Sequence, residues 1–122
     1  MKYNAATLRY FTGTPAMGPL EGPDVFAGLA GSTEQGAWVR FDLRVRGSGV
    51  IEGRFLAFGC PHTIASASWV AEHAAQGRTS LGMPATVAEL AERFDVPPEK
   101  RGRLLVVEDA WTAATTASRA VR

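Results

Sequence analysis

Ala37-Trp38-Val39-Arg40-Phe41-Asp42-Leu43-Arg44-Val45, followed by Arg46-Gly47-Ser48-Gly49 and then Val50-Ile51-Glu52-Gly53-Arg54-Phe55-Leu56-Ala57-Phe58, is the stretch that decides the fold. In its first half Val39, Phe41, Leu43 and Val45 alternate with Trp38, Arg40, Asp42 and Arg44. That period of two describes a strand with one buried and one largely solvated face. The glycines at 47 and 49 tolerate the positive φ that a tight reversal needs. The second half then returns with Ile51, Phe55 and Ala57 on one face and Glu52 and Arg54 on the other. An antiparallel hairpin follows.

Beyond Gly59-Cys60-Pro61 the period changes to that of a helix. Ile64, Ala67, Ala71 and Ala74 or Ala75 recur at helical spacing, Pro61 suits the first helical position, and Gly77 stands where a C-terminal cap belongs. Thr86 to Phe94 predicts a second helix, capped by Thr86, with Val87, Leu90 and Phe94 inward; Val96-Pro97-Pro98 ends it. A last Ala-rich helix covers residues 102–121. Working the other way, residues 13–36 are rich in Gly, Pro, Ser and Thr and predict a long loop with a helical turn near Asp24–Leu29. Asn4 caps a short opening helix to about Phe11, with Leu8 and Phe11 spaced for one apolar face. Strands followed by helices predict an α+β domain, an antiparallel sheet with helices packed on one face.

The 122 residues suffice for a single domain, 1–122, with its own core. A net charge of +1 leaves no broad basic field for a nucleic-acid backbone. No apolar run approaches a membrane span and Met1-Lys2-Tyr3-Asn4 opens no secretory signal, so the expectation is a cytoplasmic protein. One cysteine excludes an internal disulfide or a cysteine-rich metal site.

Cys60 lies between a strand end and the first turn of a helix, where unpaired N–H groups favour a thiolate. A free cysteine is also commonly a small buried hydrophobe, and position alone leaves both readings open. His62, two residues on, is placed either to support a thiolate or to face solvent in the first turn. His73 reads as surface. Trp38 and Trp69 read as core. Ser66 and Ser68 have no histidine and acid at triad spacing, and Glu108-Asp109 point in different directions on a helix. Nothing predicts an enzyme with its own turnover. Lys100, Arg101 and Arg103 form a small basic cluster.

Phe58-Gly59-Cys60-Pro61-His62-Thr63-Ile64-Ala65-Ser66-Ala67-Ser68 resembles the aromatic-Gly-Cys-x-x-x-Ile-Ala-Ser-x-Ser signature of U-type iron–sulfur cluster scaffolds, the IscU / NifU N-terminal family. Gly49 to Phe55, the opening Tyr3 to Pro15, Glu108-Asp109-Ala110 and Val96-Pro97-Pro98-Glu99-Lys100 resemble other parts of that family in order. The resemblance implies a three-stranded antiparallel sheet whose first strand lies within residues 13–36 or just after. It also implies a role in iron–sulfur cluster assembly and a cysteine desulfurase as partner. An Hsp70-type chaperone would meet Val96, Pro97, Pro98 and Lys100, with Glu99 a departure from the family's segment.

The family's metal-holding pattern is largely absent. Gln35-Gly36-Ala37 stands where Cys-Gly-Asp is expected, and Gly102-Arg103 where His-Cys is expected. Cys60 alone remains, with His62 as a companion ligand. Three readings follow: a scaffold binding iron or a [2Fe–2S] cluster shared between chains of a homodimer, zinc being less favoured; a sulfur relay with Cys60 as persulfide acceptor; or a partner-binding protein without metal.

Overall fold

The computed structural model describes residues 2–75 and 80–121. The elements run α1 (Ala5–Thr12), β1 (Val25–Ser32), β2 (Ala37–Arg46), β3 (Gly49–Phe58), α2 (Pro61–Glu72), α3 (Val87–Arg93), a 3₁₀ turn (Pro98–Lys100) and α4 (Gly102–Val121). The strands form one antiparallel sheet in the order β1-β2-β3. Helix α4 lies over β1 and β2, α2 lies over β3, and α1 packs on α2. Val39, Phe41, Leu43, Val50 and Phe55 on the sheet meet Val70, Leu90, Phe94, Leu104 and Val107 in one core. The hairpin, the helices after Cys60 and the α+β class stand as the sequence predicts.

Three local expectations need correction. Residues 25–32 are an edge strand, not loop or helical turn, so the N-terminal loop ends by Asp24. This segment is Val-Phe-Ala-Gly-Leu-Ala-Gly-Ser, whose small residues give no clear alternation. Its extended form comes from pairing along β2 and from α4, which sits directly over Gly28. Ile51 is 42% exposed instead of inward. Arg44 pairs with Glu52 but Val45 pairs with Val50; the β-bulge makes Ile51 the extra residue and hands its place in the core to Val50. Leu8 and Phe11 face solvent, Leu8 being 48% exposed. Thr7 is the buried residue of α1 instead, and its hydroxyl donates to the Phe94 carbonyl at 2.9 Å. The cap expected at Gly77 lies outside the described residues; α2 itself ends at Glu72.

Local signals at the other helices are confirmed. Asn4 caps α1 and also donates from its side chain to the Arg93 carbonyl at 3.0 Å, which ties the first helix to the end of α3. Thr86 and Glu89 form a reciprocal capping box at the start of α3. Trp111 on α4 donates its indole N–H to the Leu81 carbonyl at 2.7 Å and holds the preceding loop against the domain. On the outer face of the sheet Asp24, Arg44, Arg46 and Glu52 form a chain of ion pairs. Exposed pairs of this kind add little stability, but they pin the loop before β1 across the strands.

Candidate functional site

Strand β3 ends at Phe58, and the chain turns into α2 through Gly59 and Cys60. Gly59 holds φ near +150°, and a Cβ there would lie 3.0–3.2 Å from the Thr63 side chain. Glycine therefore both relieves the backbone and makes room for Thr63. Cys60 is the N-cap residue of α2, with Pro61 in the first turn. It is half-buried, and its Sγ lies 3.6 Å from the Thr63 hydroxyl. Burial pushes the Cys60 thiol up, but the Thr63 N–H and hydroxyl, the His62 N–H and the charge of Arg103 together bring it below its ordinary value. Cys60 is thus a half-buried, hydrogen-bonded thiol and not a fully enclosed hydrophobe.

The other two loops meet Cys60 here. Trp38 pairs with Phe58, so the turn between β1 and β2 brings Gly36 and Ala37 alongside Gly59 and Cys60. A cavity of about 380 Å³ opens beside them, lined by Gln35, Ala37, Glu99, Lys100, Gly102 and Arg103 among others. A Cβ placed on Gly36 would lie 3.8 Å from a guanidinium nitrogen of Arg103. The positions that the resemblance aligned with metal ligands are thus neighbours in space, but they carry an amide, a methyl, no side chain and a guanidinium.

His62 does not face solvent. It is 1% exposed, with Tyr3 set edge-on at 4.9 Å between ring centroids, and its Nδ1 has no hydrogen-bond partner among the described residues. The turn that carries it packs beneath α1's N-terminal approach, a contact no local pattern reveals. Burial lowers its pKa, the positive charges of Lys100 and Arg103 lower it further, and Asp95 opposes them. The unfolded chain therefore takes a proton on His62 near 6.5 while the folded one resists until lower pH. Between those values the unfolded state holds more protons, so stability falls as pH drops below about 6.5. His62→Gln is expected to flatten this first part of the acid slope in urea titrations run at stepped pH. Asp24 and Glu89, whose carboxyls are held below their ordinary values, act only further down.

These residues do not fit a metal or a cluster within one chain. Among the described residues no three His, Cys, Asp or Glu side chains come together as a ligand set, and [2Fe–2S] or zinc sites are built from several thiolates or imidazoles. Arg103 places a positive charge where a cation would sit.

Elsewhere the sequence-predicted residues scatter. Val96 is 4% exposed and belongs to the core; Pro98 and Glu99 are the exposed members of that segment, with Pro97 and Lys100 half-buried. Ser66 and Ser68 are fully buried in α2, and Glu108 and Asp109 are exposed on α4. His73 is not plain surface: it stacks on the buried Trp69 at 4.3 Å while its Nδ1 meets the Trp69 carbonyl at 2.9 Å. Trp38 is only half-buried, stacked on exposed Phe58 on the outer face of the sheet. Thr63 was passed over as a site residue, although its place three residues after an N-cap is the signal that finds it.

The β1–β2 turn and the start of α4 thus meet near the junction of β3 and α2. The family model of the NifU-like N terminal domain matches residues 2–120. The chain is 32% identical to the iron-sulfur cluster assembly scaffold protein IscU of Azotobacter vinelandii, over 93% of this chain and 91% of that protein. It is 27% identical to the protein of the same name from Escherichia coli, with the same shares covered. In fold it is similar to the N-terminal part of a nitrogen-fixing NifU-like protein from Brucella abortus, with a TM-score of 0.77 at 16% identity over 98% of this chain and 95% of that one. The chain belongs to the NifU-like N-terminal domain family.

Proposed function

We propose that this chain serves iron–sulfur cluster assembly by carrying sulfur on Cys60, without holding a cluster inside one chain. The observation that carries this reading is the Arg103 guanidinium over Gly36, beside the one thiol of the chain. A cationic pocket around a polarised thiolate suits an anionic persulfide and repels Fe²⁺. The relatives named as assembly scaffolds support the pathway, and the departures around Cys60 support the carrier role within it.

In the charging step the Cys60 thiolate attacks the outer sulfur of a persulfide on a cysteine desulfurase. A bond forms between Sγ and that sulfur, the donor's S–S bond breaks, and the donor leaves as a thiolate. The outer sulfur moves without net oxidation, so no further reactant is needed. The turnover belongs to the desulfurase; this chain is a carrier, suited to the reducing cytoplasm. Exposed Pro98, with Pro97 and Lys100 beside it, is the surface an Hsp70-type chaperone would meet, with buried Val96 beneath as support.

Intact-mass measurement after incubation with a cysteine desulfurase and cysteine is expected to show the gain of one sulfur atom, absent in Cys60→Ser. Anaerobic reconstitution with iron and sulfide is expected to leave the protein colourless. A Cys60-dependent charge-transfer band would instead support a cluster shared between two chains. Failure of both, with assembly factors still recovered in a pull-down, would leave the fold as a metal-free partner-binding module.

A further inference from the structure

Arg103 and Glu99 carry opposite charges on the wall of the cavity near Cys60, and Lys100 adds a second positive charge to the same wall. Arg103 is half-buried, yet among the described residues no carboxylate lies within ion-pair distance of it. Glu99, exposed on the same cavity wall, likewise has no ion-pair partner among the described residues. A guanidinium fork matches a carboxylate in two parallel hydrogen bonds, and a carboxylate side chain matches an ammonium group. Gln35, which has both an amide donor and an acceptor, lines the same cavity, and the Arg103 charge acts on Cys60. A volume of about 380 Å³ is at the small end of ligand sites.

From this arrangement we infer that the pocket binds a small thiol carrying an α-amino-carboxylate group, the carboxylate on Arg103 and the ammonium towards Glu99, with its sulfur presented to Cys60. The inference rests on the persulfide reading of Cys60 and names the acceptor for it. In the step, the bound thiolate attacks the outer sulfur of the Cys60 persulfide. The new S–S bond joins the small molecule to that sulfur, the bond to Cys60 Sγ breaks, and its electron pair leaves on Sγ as a thiolate. The proton of the persulfide stays with the outer sulfur or is lost to water, and no oxidant or reductant enters. The N-terminus of α2 and the Thr63 hydroxyl stabilise the departing thiolate. Free cysteine and glutathione share the required head group.

The test uses the full chain with Cys60 converted to its mixed disulfide with thiopyridine, which labels one position because the chain has one cysteine. Release of thiopyridone is followed with L-cysteine, D-cysteine, glutathione and cysteamine. L- and D-cysteine have the same thiol acidity, so a general positive field treats them alike and a built pocket does not. A ratio between the enantiomers of at least about fivefold is expected, since misplacing one charge-assisted contact costs roughly that much or more. Arg103→Gln is expected to slow the preferred enantiomer about tenfold and erase the ratio, while cysteamine, which lacks the carboxylate, changes by less than about twofold. The faster of L-cysteine and glutathione identifies which source the pocket fits. Equal rates for the two enantiomers in the wild type would overturn the inference, and so would an Arg103→Gln variant that slows all four thiols alike. This assay needs no desulfurase. Its failure leaves the carrier reading standing, whereas enantiomer selection without sulfur transfer from a desulfurase would remove the carrier reading and keep the pocket.

Discussion

Gly28→Ala is expected to destabilise the domain by at least about 3 kcal/mol, enough to leave a substantial unfolded population. A Cβ at position 28 would lie 2.2 Å from the Ala114 nitrogen, 2.3 Å from the Ala110 carbonyl oxygen and 2.8 Å from the Ala114 α-carbon. All three are backbone atoms of α4, so no rotamer change relieves the overlap. Glycine is not required here by its φ, which is not positive; it is required because α4 lies directly on β1. To admit one methyl group the helix must retreat, and the contacts that Ala110, Trp111 and Ala114 make with the sheet open together. Overpacking usually costs about 1–3 kcal/mol when side chains can give, and a backbone-on-backbone overlap belongs at or above the top of that range. Gly102→Ala is the matched control. It sits at the first position of α4 with nothing within 4 Å of its would-be Cβ, and is expected to change stability by less than about 1 kcal/mol. Urea unfolding followed by far-ultraviolet circular dichroism compares the two directly. If Gly28→Ala unfolds at the wild-type midpoint, α4 does not sit on β1 as described.

The second large effect is a gain. The double variant Gln35→Cys with Arg103→Cys is expected to bind zinc or cobalt at least about a hundredfold more tightly than the wild type. Positions 35 and 103 line one cavity, and the turn that carries position 35 runs beside Cys60 through the Trp38–Phe58 pair. The substitutions bring two further thiolates to the Cys60 sulfur and remove a like charge from the place of the cation. Three sulfurs and one open position make a workable tetrahedral site. Titration with cobalt reads the result, because thiolate coordination produces strong sulfur-to-metal charge-transfer absorption. Each single variant supplies one thiolate fewer and is expected to fall between. A folded double variant with no charge-transfer band would mean that the three loops do not converge within bonding reach, and the account of the pocket would fail with it.

Both expectations show how differently parts of this molecule could be read from its residues. The β2–β3 hairpin was legible because alternation, glycine at the reversal and matched strand lengths agree over some twenty residues. The α3 cap was legible because Thr86 and Glu89 satisfy each other within one turn. Cys60 stood out for the same local reason, at the junction of a strand and a helix. The ordered resemblance to U-type scaffolds implied the first strand that periodicity missed, and the structure places it at Val25–Ser32.

What failed were judgements of facing and depth. Leu8 and Phe11 have helical spacing, but α1 turns Thr7, Ala6 and Tyr10 towards the core, so Leu8 and Phe11 point outward. Ile51 follows the alternation yet is displaced by a bulge one residue away. Both depend on partners distant in sequence.

The chain by itself therefore determined its fold class, its helix starts and the position of its one cysteine at a strand–helix junction, because each rests on contacts within a few residues. Tertiary structure alone decided where β1 begins and ends, that His62 is buried and that Arg103 lies over Gly36. Those facts come from segments far apart in sequence being pressed together, and the energies that place them are packing and long-range charge, which leave no periodic trace. The same convergence sets Arg103 and Lys100 on one wall with Gln35 and Ala37, and the charge of Arg103 reaches the one thiol of the chain.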